Sequence, residues 1–196
     1  MKKSTIIAIT GGIGSGKSVV SQVLRVAGFA VYDCDDRAKW LMNHSPIIKQ
    51  NLIDKFGKSV YNPDGSLNRT ALSAIIFNNK DSLLYVNSLV HPAVRNDIMQ
   101  WLDEQSGNCK FIETAILKEG GLDEMVDKVW NVVAPLEVRI ERVMRRNNAS
   151  REQVLERIAN QNTSFQSETK PVTEIINDNI TALLPQIIQA ANTSSI

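Results

Sequence analysis

The run Gly11-Gly12-Ile13-Gly14-Ser15-Gly16-Lys17-Ser18 has the spacing G-x-x-x-x-G-K-[ST]. Glycines at such positions let backbone N–H groups turn inward around an anion with no Cβ in the way. A lysine at the start of a helix adds a positive charge, the helix N-terminus adds its dipole, and the adjacent hydroxyl can ligate Mg²⁺. These residue types together predict a nucleoside triphosphate held with Mg²⁺. The expected nucleotide contacts are Gly12, Ile13, Gly14, Ser15, Gly16, Lys17, Ser18 and Val19. Ser18 is the expected metal ligand.

Two further groups could act on a bound triphosphate. Asp33-Cys34-Asp35 places two carboxylates after a short apolar run. They could orient or deprotonate an acceptor hydroxyl, or hold the water shell of magnesium. The plainer alternative is a loop whose Asp35 or Asp36 caps a helix. Arg139, Arg142 and Arg146 recur at i, i+3 and i+7, on one helix face, with Arg145 and Arg151 nearby. Guanidinium forks of this kind can clamp phosphoryl oxygens as charge spreads in a transition state. A solvated basic face is the alternative. Arg142 and Arg146 are the candidates, with Arg139 in reserve.

Alternating strand and helix patterns must position these groups. Thr5 to Thr10 is a β-branched run ending in glycines, as in a buried parallel strand. Lys17 to Ala27 has helical apolar spacing and stops at Gly28. Phe29 to Tyr32 reads as a second strand. Asp36 to Gln105 is almost wholly helical in pattern: Ser45-Pro46 opens a helix, Gly57 closes it, Asn62-Pro63-Asp64-Gly65 turns, and Asn68 and Asp81 are expected N-caps. Strands return at Cys109 to Glu113 and Lys128 to Ala134. An arginine-rich helix follows over Leu136 to Arg146, then a capping box at Ser150 to Gln153, a strand at Glu174 to Asn177 and a helix ending near Ala191. The order predicts an α/β fold, a parallel sheet with helices on both faces. The long helical stretch between the second and third strands reads as an insertion.

Composition narrows the class. Across 196 residues, Lys and Arg number 22 against 21 Asp and Glu, for a net charge of +1. No global field recruits nucleic acid or a membrane surface, so any anion must be held by a local site. Two cysteines cannot build a disulfide framework and are expected as reduced thiols. The apolar run near the start is too short for a signal peptide or a membrane span, and a soluble, cytoplasmic protein is expected. GTPase, ATPase and kinase stay open on the loop alone. The D-x-x-G at Asp54 to Gly57 lies inside a helical stretch, and Asn78-Asn79-Lys80-Asp81 only approximates a guanine-recognition motif.

The series Thr10 to Ser18, Asp33-Cys34-Asp35, Asp64-Gly65-Ser66-Leu67-Asn68-Arg69 with Leu72, Ile76-Phe77 and His91-Pro92 resembles the dephospho-CoA kinase family. Arg142 to Arg146, Glu156-Arg157-Ile158 with Gln161, and Asn179 continue the resemblance, which covers nearly the whole chain. It implies a P-loop kinase core over 1–35, 106–138 and 165–196, a helical substrate-binding insertion over 36–105, and an arginine-rich lid over 139–164. It also implies transfer of the γ-phosphoryl of ATP to the ribose 3′-hydroxyl of dephospho-CoA.

The residue roles that the resemblance implies are these. Asp35 faces the 3′-hydroxyl, with Asp33 as second choice, and Lys17, Arg142 and Arg146 serve the transferring group. Arg69, His91, Glu113 and Leu117 lie on the acceptor side. His91, before Pro92, is expected at a helix start and is assigned to binding rather than chemistry. The chain departs from the family pattern at Val19, Ala115, Lys118, Val172-Thr173 and Ile180. A kinase for another small acceptor and a regulatory nucleotide switch are the rival readings, and oligomeric state is open.

Overall fold

In the computed structural model, residues 4–77, 79–161 and 170–193 are described. Asn78 of the approximate guanine motif, 162–164 at the end of the expected lid, and 165–169 and 194–196 of the expected core lie outside them. The chain divides into two compact units, Met1–Tyr32 with Glu104–Ile196, and Asp33–Asp103.

The first unit is built on five parallel strands in the order β2-β3-β1-β4-β5. They are β1 (Thr5–Thr10), β2 (Ala30–Asp33), β3 (Cys109–Glu113), β4 (Lys128–Val133) and β5 (Val172–Ile176). β1 lies between β3 and β4, with Ile7 opposite Phe111 and Ile9 opposite both Glu113 and Trp130. That central position explains its largely β-branched, uninterrupted apolar middle, since Ile7, Ala8 and Ile9 are buried on both faces. β5 starts two residues before the expected Glu174, because its pairing with β4 runs from Val172 opposite Val129 to Ile176 opposite Val133.

Helices α1 (Lys17–Val26) and α8 (Leu183–Thr193) pack on one face of this sheet. Val20 and Leu24 of α1 and Ile187 and Ala190 of α8 join Ile7, Ile9, Phe111, Trp130 and Ile175 in a single core cluster. The Phe111 ring meets Phe29 and Trp130 edge-on, at 5.5 and 5.1 Å between centroids. Leu24 is fully buried there. Leu24→Ala is expected to destabilise the fold by about 2–5 kcal/mol, since the cavity adds to the lost transfer energy. The midpoint of urea unfolding measures it.

Between β4 and β5 the chain forms α6 (Leu136–Asn147) and α7 (Arg151–Ala159). The capping box at Ser150 is present, with both reciprocal bonds to Gln153. Ile140 and Val143 of α6 and Val154 of α7 make a small second core, against which Ile13 of the glycine-rich loop packs. Glu137 and Arg151 join the two helices by a bidentate pair, both bonds 2.7 Å, which holds the Glu137 carboxyl below its usual range.

The second unit contains α2 (Cys34–His44), α3 (Pro46–Phe56), α4 (Arg69–Phe77) and α5 (Lys80–Glu104). Ser45 ends α2 and caps α3, accepting from Ile48 N, with Pro46 at the start of α3 as expected. Asn68 caps α4, accepting from Ala71 N at 3.1 Å. The cap of α5 is Asn79, which accepts from Ser82 N at 2.9 Å. The expected Asp81 lies instead in the first turn, where its charge favours the helix dipole. His91-Pro92 does not open a helix either, because Pro92 lies inside the 25 residues of α5. Proline removes one ladder hydrogen bond, yet Val86, Val90, Val94 and Ile98 form a buried stripe running past it. Burial of that stripe carries the helix through.

Neither cysteine is in a disulfide, both are buried, and burial pushes the Cys109 thiol up to about 11. Among the described residues, no helix is long and apolar enough to cross a membrane.

Candidate functional site

The glycine-rich loop follows β1 and runs into α1, at the carboxyl end of the sheet's central strand, the edge where open α/β sheets bind ligands. Gly14 and Gly16 have φ of +78° and +95°, and Ser15 between them has no positive φ. Such alternation curls successive N–H groups toward one point, an anion-binding nest. Glycine is required twice over. A Cβ on Gly14 would stand 2.6 Å from the Arg139 carbonyl, and one on Gly16 would collide with Asn177 Nδ2. Gly16→Ala is therefore expected to weaken Mg·ATP binding at least about tenfold, from backbone strain of about 1–3 kcal/mol together with the collision. Calorimetric titration reads it.

Each carbonyl of the loop has a donor. Lys17 Nζ donates to Gly11 O at 2.8 Å, and Ser15 N to Gly12 O at 3.1 Å. Arg139 Nε donates to Ile13 O at 2.9 Å. Arg142 Nη1 donates to Gly14 O at 3.3 Å and Ser15 O at 3.2 Å. Asn177 Nδ2 also donates to Ser15 O, at 2.9 Å, and Val19 N to Gly16 O at 3.0 Å. With its carbonyls occupied, the loop keeps its N–H groups for the opposite side. Ile13 N, which donates to Gln161 Oε1 at 2.6 Å, and Ser15 N are the exceptions.

The arginines divide by distance along α6. Arg139 and Arg142 reach the loop, and burial lowers the Arg139 pKa. Arg142 Nη2 also donates to Asn177 Oδ1 at 3.2 Å and to Asn179 Oδ1. Arg146 is exposed and donates to its neighbour Asn147 at 3.1 Å. Ser18 and Val19, in the first turn of α1, are exposed.

Glu113 ends β3 and is 8% exposed. Thr114 N beyond it donates to Ile9 O at 3.0 Å, and Leu117, 2% exposed, accepts from Leu122 N at 3.0 Å. These contacts fix the loop after β3.

The remaining candidates belong to the helical unit. Asp33 is the N-cap of α2, accepting from Asp36 N at 3.0 Å. The cap is thus neither Asp35 nor Asp36, since the helix starts earlier, at Cys34. Asp35 is exposed in the first turn of α2. Arg69 is exposed at the start of α4, and His91 lies half-buried midway along α5.

Asn177 is the residue against the loop that sequence reasoning missed. A single asparagine after a strand carries no pattern, and its partners Ser15 and Arg142 lie 162 and 35 residues earlier in the chain.

A family model described as dephospho-CoA kinase matches residues 5–183. The chain belongs to the dephospho-CoA kinase family. A dephospho-CoA kinase of Porphyromonas gingivalis is 41% identical over 189 residues, covering 95% of this chain and 93% of that protein. A second, from Bacteroides fragilis, is 41% identical over 186 residues, covering 93% and 89%. Among solved structures, a protein of Thermus thermophilus superposes with a TM-score of 0.77 at 31% identity, covering 99% of this chain and 97% of that one. The dephospho-CoA kinase of Campylobacter jejuni, at 22% identity, shares the fold with a TM-score of 0.66, covering 97% and 96%.

Membership of the dephospho-CoA kinase family gives the scattered motifs a common frame. Asn62 to Ser66 form a tight turn, with Asp64 accepting from Ser66 N at 2.9 Å; Leu67 then pairs with Tyr61, and α4 starts at Arg69. Gln161 holds the phosphate loop at Ile13. The family shows the chain to be a kinase, a phosphotransferase.

Proposed function

We propose that this chain transfers the γ-phosphoryl group of Mg·ATP to the ribose 3′-hydroxyl of dephospho-CoA, giving coenzyme A and ADP. The observation that carries the reading is the loop over Gly11 to Ser18, whose carbonyls are hydrogen-bonded while its glycines curl the N–H groups into a nest. Family membership supports the choice of acceptor.

The loop N–H groups, the N-terminus of α1 and Lys17 hold the triphosphate. The exposed Ser18 hydroxyl suits a Mg²⁺ that takes most of its ligands from phosphate and water. When bound, that ion would neutralise charge on the β and γ oxygens. Asp35 orients the 3′-hydroxyl and accepts its proton as the oxygen bonds to the γ-phosphorus and the bond to the β,γ-bridging oxygen breaks. Asp33, spent on capping α2, is the weaker candidate for that proton. Arg142 and Arg146, on the arginine-rich α6, neutralise the transferring group and help to exclude water. Arg69, His91, Glu113 and Leu117 serve the acceptor side, Glu113 and Leu117 by shaping the loop after β3. A loose phosphoryl transition state asks mostly for positioning and electrostatics. A cytoplasmic location is part of this reading, in keeping with water-soluble substrates.

An acceptor screen at fixed Mg·ATP tests this reading. ADP release is expected with dephospho-CoA and not with AMP, uridine or buffer alone. Equal release in every tube would leave a nucleotide hydrolase or switch.

A further inference from the structure

Asn177 closes β5 and stands behind the phosphate loop, with both ends of its side-chain amide in use. Nδ2 donates to Ser15 O at 2.9 Å, and Oδ1 accepts from Arg142 Nη2 at 3.2 Å. Its backbone N donates to Val133 O at 2.8 Å, which anchors it to the end of β4. The amide nitrogen also lies where a Cβ on Gly16 would fall. Asn177 therefore fills the space that the left-handed turn at Gly16 opens. It presents a donor to the carbonyl between the two left-handed glycines, which holds that carbonyl in the orientation the nest needs.

We propose that Asn177 is a positioning residue for phosphate binding: it fixes Ser15 O outward and orients Arg142, and so presets the loop's N–H groups for the triphosphate. The inference rests on the nucleotide-kinase reading of the loop. Its physical basis is preorganisation. A flexible loop must order itself on each binding event, whereas a loop held by rigid partners on β4 and β5 does not. Arg142 alone is a weaker holder, since it divides one guanidinium between Gly14 O, Ser15 O and two asparagine oxygens. Asn177 gives Ser15 O its shortest bond.

The effect belongs to the phosphates and not to the acceptor or the nucleoside. Asn177→Ala deletes both bonds. Asn177→Asp has the same shape and keeps the acceptor for Arg142, but it sets a carboxylate against the Ser15 carbonyl. The test measures inhibition by Mg·tripolyphosphate, a ligand of the loop alone, beside the KM for dephospho-CoA, in wild type and both variants.

The expected result is a rise in the tripolyphosphate inhibition constant of about tenfold in Asn177→Ala and at least as much in Asn177→Asp, in line with one lost carbonyl bond. The KM for dephospho-CoA should stay within about twofold, as when an interaction with the other substrate is removed. Unchanged tripolyphosphate inhibition in Asn177→Asp would overturn the proposal, as would parallel shifts in both constants, which mark a general structural role. Wild-type turnover with dephospho-CoA separates this from failure of the underlying reading: an inactive wild type refutes the activity, whereas an active wild type with insensitive variants refutes only the role of Asn177.

Discussion

Lys17→Ala is expected to lower kcat for phosphoryl transfer by about a hundred- to a thousandfold, the usual effect of removing one preorganised electrostatic donor. The fold should survive. Lys17 is half-buried at the start of α1, outside the core that Val20 and Leu24 build. In the structure its ammonium bonds to Gly11 O, which keeps the cation on the loop and near the anion it is meant to meet. The alanine variant loses that bond as well as the charge, so some of the loss will appear in nucleotide affinity. Steady-state kinetics with varied ATP, alongside a thermal melt, separates the two contributions. A folded variant that keeps wild-type turnover would remove the loop from the chemistry.

The second large effect is expected on the acceptor side. Asp35→Asn should lower kcat by about 10²–10⁴-fold, the range for a positioned acid or base, with little change in the KM for ATP. Asp33→Asn is the informative companion. Asp33 spends its carboxylate on the N–H of Asp36, and asparagine caps a helix about as well as aspartate does. The Asp33 variant should therefore keep both the helix and most of its turnover. A larger loss in Asp33→Asn than in Asp35→Asn would reverse the two roles. Asp33→Ala should lower stability by about 1 kcal/mol through the lost cap, a loss that belongs to folding and not to the reaction.

The two variants also show which features were legible in the sequence. Local structure was legible where a few neighbouring residues decide it. The Ser45-Pro46 helix start and the capping box at Ser150 each involve bonds spanning only a few residues, and the turn from β1 into α1 at Gly11 to Ser18 is set by its own glycines. The cap of α5 was displaced from Asp81 to Asn79 because two good capping residues stand two positions apart, and pattern alone does not choose between them. Pro92 misled for a different reason. Its local preference for a helix start yields to the burial of Val86, Val90, Val94 and Ile98 on one face.

Arg139, Arg142 and Arg146 share a helix face, so periodicity could not rank them. The structure does, because α6 begins beside the loop and each further turn carries a side chain about 5.4 Å along the axis. Arg139 and Arg142 are in reach of the carbonyls, and Arg146 is past them. Asn177 was invisible because its role is created by the sheet order. Only the pairing of β5 with β4, and of β4 with β1, brings the end of β5 to the loop.

The most direct test of the central claim is the identity of the product formed from Mg·ATP and dephospho-CoA, read by mass and by ³¹P NMR. One new phosphomonoester on the ribose 3′-oxygen, formed in step with one ADP, is the predicted result. ADP appearing at the same rate without the acceptor, or a phosphate attached elsewhere on it, would contradict the account.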